Sequence, residues 1–177
     1  MTNHWKIDPS HSEVEFKVKH LMITTITGHF GTYKLDVTTN DDDFTSATEI
    51  DFTINVNSIN TKNQQRDEHL KSAEFFDIEH YPEITLRGGR LEKKNDLYIL
   101  LGELTIKGIS REITFEVEFG GQITDPYGQQ KAGFTIIGAI SRKEFGLIWN
   151  AITEAGQVVV GDLIRINCNI QLIKTEF

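Results

Sequence analysis

The residues best suited to polar chemistry gather in one run, Arg66-Asp67-Glu68-His69. On a helix, Arg66 and His69 would share one face, because residues three apart are neighbours on a helix surface. Such a group can tie a helix to a neighbouring element, or it can guard the mouth of a cavity and contact the polar head of a ligand. We expect tethering, and we keep Arg66, Asp67 and His69 as candidate head-group or mouth residues.

Three histidines, His11, His20 and His29, are spaced by nine residues, which raises the question of a metal site. Strand parity argues against one, because His20 shares the phase of its apolar neighbours whereas His29 is out of phase with Phe30. A zinc site also favours ligands paired on one short element, and the sequence has no such histidine pair. We expect no metal site. For His20 we expect a structural hydrogen bond, with contact to a ligand's head group as the alternative.

The sequence carries no familiar catalytic motif. It lacks a nucleophile elbow, a phosphate loop, a dinucleotide fingerprint and a zinc motif. Its one cysteine, Cys168, lies in an apolar phase between Ile166 and Ile170, which is typical of a buried and inert thiol. The carboxylates alternate outward along the strand-like segments, as they do on solvated faces. We therefore predict that the protein is not an enzyme and needs no cofactor.

The elements that must position these residues are strands, because apolar and polar side chains alternate with a period of two. The alternation is clear in segments 13–20, 48–56, 111–119 and 164–172, and it is less regular in 24–37, 82–91, 97–107 and 131–142. A shift of phase near Gly31 predicts a β-bulge. Only segment 62–72 is typical of a helix, with Asn60 or Thr61 as its cap.

Eight strands with polar outer faces predict an all-β fold, either a closed barrel or a sandwich. We find no linker, internal repeat or low-complexity tract, so we expect one domain over residues 1–177. An eight-stranded antiparallel barrel can fill itself with side chains or hold one small ligand. The pattern of residues does not choose between those two interiors.

The composition excludes several classes of partner. Lys and Arg number 18 and Asp and Glu 26, for a net charge of −8, which argues against nucleic acid and against tight docking on anionic membranes. A brief visit to a membrane is compatible with this charge. Apolar runs of about four residues are far too short to span a bilayer. We also see no signal peptide, so we expect a cytoplasmic protein without stable membrane insertion.

Short motifs along nearly the whole chain resemble the YceI-like family in their order and spacing. They are Trp5-Lys6-Ile7-Asp8-Pro9-Ser10-His11-Ser12, Gly28-His29-Phe30, Arg66-Asp67-Glu68-His69-Leu70-Lys71-Ser72, Gly102-Glu103-Leu104-Thr105-Ile106-Lys107-Gly108, Ser141-Arg142-Lys143-Glu144-Phe145-Gly146 and Val160-Gly161-Asp162. Each motif alone is weak, and together they are specific. The resemblance implies a lipocalin-like eight-stranded antiparallel barrel that encloses a polyisoprenoid chain, with one short α-helix at its side and no catalytic residue set.

Under this resemblance, the inward-facing residues become the predicted ligand-binding wall. They are Val14, Phe16, Val18, His20, Phe30, Phe52, Ile54, Ile84, Leu86, Leu104, Ile106, Phe115, Val117, Phe134 and Ile136. Trp149, near Phe145 and Leu147, is either part of the core or a lid over the cavity.

The expected ligand is a long-chain isoprenoid lipid, such as a quinone tail or a prenyl diphosphate. A fatty acid or fatty amide is the alternative ligand. An enzyme acting on an isoprenoid lipid and a ligand-free barrel with a solid core are alternatives of other classes. The run 98–101 is apolar on both faces, which is compatible with a cover from the helix or from the second subunit of a homodimer.

Overall fold

Eleven strands form one antiparallel sheet in the computed structural model of the chain, which describes residues 2–155 and 158–176. The strands are β1 (Asn3–Ile7), β2 (Glu13–His20), β3 (Thr24–Phe30), β4 (Tyr33–Thr39), β5 (Ala47–Asn55), β6 (Ile59–Asn60), β7 (Glu83–Lys94), β8 (Leu97–Ile106), β9 (Ile109–Thr124), β10 (Gln130–Ser141) and β11 (Leu163–Thr175). Within the described residues the one α-helix is α1 (Gln64–Lys71).

The sheet closes on itself because its first barrel strand consists of two pieces, β1 and β2. Both pieces pair with β11, through Trp5 opposite Lys174 and Val14 opposite Cys168. The next two barrel strands are divided in the same way, since β4 and β5 continue the ladder from β1 whereas β3 and β6 continue it from β2. These three composite strands and the five strands β7 to β11 make the eight-stranded antiparallel barrel that the sequence predicts.

The breaks in the composite strands have local causes. Between β1 and β2, Pro9 lacks an N–H for the ladder, and the Asp8 carboxylate accepts a hydrogen bond from the Ser10 backbone N–H at 3.0 Å. Near Gly31 the sequence predicts a bulge, and the structure has a break between β3 and β4 instead. There the Gly31 N–H donates to the Ser58 carbonyl at 3.3 Å, so the backbone bonds across to the next composite strand.

The helix begins later than the sequence predicts, and its cap is Asn63 rather than Asn60 or Thr61. The Asn63 side chain accepts a hydrogen bond from the Arg66 N–H at 2.9 Å. Asn60 instead accepts from the Lys62 N–H, and Lys62 has a φ of 62°. A left-handed residue at that position cannot belong to a right-handed helix, so α1 starts after it.

The barrel has two ends of different construction. The helix end carries α1, the β2–β3 turn (residues 21–23), the β8–β9 turn and the long connection from β10 to β11 (residues 142–162). The far end carries the β4–β5 connection with Phe44, the β7–β8 and β9–β10 turns, and the start of β1. Trp5 and Phe44 pack together there with ring centroids 4.9 Å apart.

The two-faced apolar run in β8 lies in the barrel wall. Tyr98 and Leu100 pack against the core, whereas Ile99 and Leu101 are half-buried on the alternate phase. A second subunit against that face stays a prediction. No helix among the described residues has the length and apolar character needed to cross a membrane.

Candidate functional site

The barrel encloses a cavity of about 250 Å³. Every apolar strand residue that the sequence places on the inner wall lines it, namely Val14, Phe16, Val18, Phe30, Phe52, Ile54, Ile84, Leu86, Leu104, Ile106, Phe115, Val117, Phe134 and Ile136. Phe44 lines it at the far end and Leu70 and Phe76 at the helix end. The cavity therefore runs along the barrel axis, and the interior is not solid.

The wall of this cavity is almost wholly aliphatic and aromatic. Among the described residues that line it, only Glu15 and Arg142 are charged. Glu15 belongs to the outer phase of β2, where its carboxylate contacts His29 and Lys17. Arg142 is thus the one guanidinium at the inner surface. A tube of this kind suits a long apolar molecule with few polar groups.

Two phenylalanine rings of the wall pack against glycines on the neighbouring strands. A Cβ added to Gly28 would come within 2.2 Å of Phe16 Cζ, and one added to Gly138 would come within 2.2 Å of Phe115 Cδ1. Each glycine therefore makes the space that its ring occupies. Held against the wall, the rings leave the axis of the barrel open.

Phe44 closes the far end of the cavity. It starts a 3-10 turn, Phe44–Ser46, whose cap is the Asp43 side chain accepting from the Thr45 N–H at 2.9 Å. Its ring packs on Trp5 and, with centroids 4.8 Å apart, on Phe134. Sequence reasoning missed this residue, because it lies outside the alternating segments; its only signal is an apolar residue directly after an aspartate cap.

The connection from β10 to β11 (residues 142–162) forms a cover over the helix end of the cavity, and Arg142 holds this cover in place. Its side chain is only 2% exposed and donates hydrogen bonds to the carbonyls of Gly161 at 2.8 Å, Trp149 at 2.9 Å, Val160 at 3.2 Å and Leu147. Burial lowers the pKa of Arg142, and the nearby Asp162 opposes that shift. Sequence reasoning missed this role, although a cation directly after an apolar strand is a usable signal.

The polar residues of the helix tether its own segment. Arg66 donates to the Thr61 hydroxyl at 2.8 Å and to the Thr61 carbonyl at 2.6 Å. Asp67 accepts from the Thr61 N–H at 2.9 Å and from its hydroxyl. His69 contacts the Glu74 carboxylate. None of Arg66, Asp67 and His69 is among the described residues that line the cavity, and a contact of theirs with a ligand's head group stays a prediction.

His20 and Trp149 also lie outside the cavity lining of the described chain. His20 has the inward phase, but it ends β2 and bridges to Val160 at the rim. Trp149 packs on the helix segment, with its ring centroid 4.8 Å from that of His69 and 5.2 Å from that of Phe75. It covers the helix end as a lid would, because the connection that carries it folds over the barrel.

Cross-strand pairing assembles one group with metal-ligating side chains on the outer wall. His29 Nε2 lies 2.9 Å from Glu13 Oε1 and 3.2 Å from Glu15 Oε2, and among the described residues this is the one such trio. His11 instead contacts Asp8 at 2.8 Å. The three histidines at nine-residue spacing therefore do not meet.

Comparison with known proteins agrees with this architecture. A family model described as the YceI-like domain matches residues 5–172. A UPF0312 protein of Staphylococcus aureus strain USA300 is 36% identical, over 99% of this chain and 100% of the relative. The solved Campylobacter jejuni YCEI protein is 32% identical with a TM-score of 0.74, over 89% of this chain and 90% of that one. A polyisoprenoid binding domain from Saccharophagus degradans shares the fold at 14% identity, with a TM-score of 0.70 over 95% and 97% of the two chains.

Proposed function

This chain belongs to the YceI-like family, and from that premise we propose that its barrel binds a long-chain isoprenoid lipid and sequesters or carries it. The ligand would be a molecule such as a quinone tail or a prenyl diphosphate. The observation that carries the proposal is the apolar cavity of about 250 Å³ that extends from Phe44 to Leu70. The polyisoprenoid binding domain from Saccharophagus degradans, which has the same fold, supports an isoprenoid over other apolar chains.

The energetics suit a carrier or a store. Moving one five-carbon isoprene unit out of water contributes roughly 3–4 kcal/mol, at about 0.8 kcal/mol per CH₂ group. The competing environment for such a lipid is a bilayer, which is as apolar as this cavity. The net free energy of transfer from membrane to barrel is therefore close to balance, which permits both loading and release.

A binding role fits the wall better than catalysis does. Among the described lining residues, the titratable groups are the Glu15 carboxylate, the Arg142 guanidinium and the Cys168 thiol. Burial raises the pKa of the Cys168 thiol to about 12. That thiol stays protonated at neutral pH and is a poor nucleophile. Glu15 is engaged on the outer wall and Arg142 is bonded to carbonyls. A fatty acid or fatty amide would fit the same wall and is the second candidate ligand.

The direct test is native mass spectrometry of the purified protein, followed by organic extraction and identification of the lipid. We expect about one prenyl lipid per chain. Two neighbouring residues of β10 provide a matched pair of variants, because Ile136 lines the cavity whereas Ile137 is exposed on the outer face. Ile136→Trp fills the tube and should abolish lipid occupancy, and Ile137→Trp should keep it.

Circular dichroism and urea unfolding show whether both variants are folded. Equal occupancy in two folded variants would place the lipid outside the barrel. Bare wild-type protein that takes up no added isoprenoid would overturn the proposal, and a bound fatty acid or amide would replace the isoprenoid by the second candidate. A cytoplasmic location and a homodimer belong to the proposal as further expectations, which cell fractionation and light scattering test.

A further inference from the structure

The helix end of the barrel exposes large apolar side chains where a surface loop would normally be polar. Ile23 is 77% exposed and Ile152 is 74% exposed, and Met22, Ile148 and Val158 are also exposed. We call these five residues the apolar rim. Contiguous exposed apolar surface of this kind marks sites of interaction.

The apolar rim is one surface, although two distant parts of the sequence form it. The Leu21 N–H donates to the Val159 carbonyl at 2.8 Å, and the Gly161 N–H donates to the Lys19 carbonyl at 2.9 Å. His20 pairs with Val160 between those two bonds. The β2–β3 turn and the cover of the cavity are therefore joined edge to edge.

The rim continues into the lipid cavity. Leu147 and Val160 line the cavity, while Ile148 and Val158, close to them in the chain, face out. The cover is thus apolar on both of its sides. A cover that served only to shield the cavity from water would need an apolar inner side alone.

The backbone of the β2–β3 turn also departs from what a hairpin prefers. Leu21 and Met22 have φ values of 51° and 60°, in the left-handed region where asparagine and glycine are favoured. Large apolar side chains raise the free energy of such a turn. Their presence there indicates a role that outweighs local stability.

The distribution of charged residues around the rim fits a bilayer, which has an uncharged interior bordered by lipid phosphates. A quarter of the chain is charged, yet segments 20–33 and 145–153 contain no Asp, Glu, Lys or Arg, and Glu154 is the one charged residue in 145–161. On β2, the strand that leads into the turn, the nearest charged side chains are Lys17 and Lys19. Lys17 is paired with Glu15, so Lys19 is the cation of this strand that can lie near a lipid phosphate when the tip enters a bilayer.

We propose that the apolar rim docks on a lipid bilayer and that the lipid passes between membrane and cavity at this end. This inference rests on the proposed function, because a bilayer is where a long isoprenoid resides. Two loop tips can enter roughly 5–10 Å into the boundary of headgroups and acyl chains, whereas a stable protein interface needs about 800 Å² of complementary surface on each partner. A net charge of −8 makes attraction to anionic lipid weak, so docking is apolar and insensitive to salt.

The test is flotation of the full chain with phosphatidylcholine vesicles at low and high salt. Ile23→Glu and Ile152→Glu should each lower the vesicle-bound fraction at least tenfold. The matched control is Ile123→Glu, because Ile123 is 68% exposed but lies on β9 at the far end. A second design, Leu21→Asn with Met22→Gly, should unfold at a higher urea concentration than wild type and still float less.

A second measurement separates this inference from the proposed function. Farnesol, a short prenyl alcohol, reaches the cavity from solution, so wild type and all of these variants should bind it equally. Farnesol uptake without flotation, or equal flotation of rim and control variants, would overturn bilayer docking and leave lipid binding intact. Rim-dependent flotation without farnesol uptake would support docking and remove the lipid ligand. Rim variants that only turn a dimer into a monomer would assign the rim to a second copy of the chain.

Discussion

At the scale of single residues, Arg142 has two roles. It lines the cavity, and it donates hydrogen bonds to four carbonyls of the connection between β10 and β11, which covers the cavity. A buried cation is costly unless its charge and its donors are compensated. The four carbonyls accept its hydrogen bonds, and the nearby Asp162 favours its charged form, which together make the burial of Arg142 tolerable. Arg142 thereby fixes the position of Leu147 and Val160 over the helix end.

We expect Arg142→Met to destabilise the protein by about 2–4 kcal/mol, because each buried carbonyl left without a donor costs about 1–3 kcal/mol while the loss of a buried charge offsets part of that cost. Urea unfolding measures the change. Arg165→Met is the control, since Arg165 is exposed on β11, and it should change stability by less than about 0.5 kcal/mol. Equal stability of the two variants would mean that the cover does not depend on Arg142.

Cys168 links the apolar wall to the alkaline stability of the protein. Burial raises the pKa of its thiol from 9.0 to about 12. Between those values the unfolded chain releases the thiol proton and the folded chain keeps it, so stability is full below pH 9 and falls as the pH rises toward 12. We expect this group to contribute a loss of up to about 1.4 kcal/mol per pH unit in that range.

The measurement is the difference between wild type and Cys168→Val in urea unfolding from pH 8 upward, because that difference isolates the contribution of the thiol. The wild-type free energy of unfolding should fall more steeply than that of the variant. If the free energies of unfolding of the two proteins fall in parallel with pH, the thiol is exposed to water in the folded protein. The part of the wall around Cys168 is then exposed as well.

At the scale of elements, the inner wall depends on aromatic rings that pack over glycines of adjacent strands. Gly28 on β3 receives Phe16 of β2, and Gly138 on β10 receives Phe115 of β9. Glycine weakens a strand by itself, and here the cross-strand ring covers the exposed backbone. The same arrangement keeps the ring out of the lumen, so sheet stability and cavity width have one structural cause.

Gly138→Ala should cost about 1–3 kcal/mol by overpacking and should push the Phe115 ring into the cavity, lowering lipid occupancy. Gly133 on the same strand is the control, because a Cβ there has no described atom within 4 Å; Gly133→Ala should be neutral or stabilise by up to about 1 kcal/mol. Thermal unfolding and native mass spectrometry follow both effects. Adding Phe115→Leu to Gly138→Ala should restore stability, and a lack of rescue would place the strain elsewhere.

At the scale of the whole molecule, the two ends of the barrel have different roles. The far end is closed by Phe44 against Trp5 and Phe134. The helix end is closed by the connection from β10 to β11, which the hydrogen bonds of Arg142 hold in place and which buries Phe145 and Leu147 in the core. Because the helix end also carries the apolar rim, we expect lipid to exchange through this end. The vesicle experiment, with Ile123→Glu as its far-end control, tests which end of the barrel docks on the bilayer.

The sequence by itself determined which residues face inward. A strand turns alternate side chains to opposite faces, so the phases of Phe16, Phe52 and Phe115 followed from their neighbours alone, and all three line the cavity. The number of strand-like segments predicted a barrel or a sandwich, and the family resemblance then favoured the eight-stranded barrel. The break at Gly31 appeared in the sequence as a loss of phase, although its form as two separate strands did not.

Only the tertiary structure decided how far along the barrel each residue lies and which distant segments meet. His20 has the correct phase but ends beyond the cavity, because the length of the lumen depends on where α1 and the β10–β11 connection pack. The burial of Arg142, the plug at Phe44 and the pairing of Leu21 with Val159 at the helix end have the same origin. These are contacts between residues far apart in the chain, and a period of two within one strand carries no information about them.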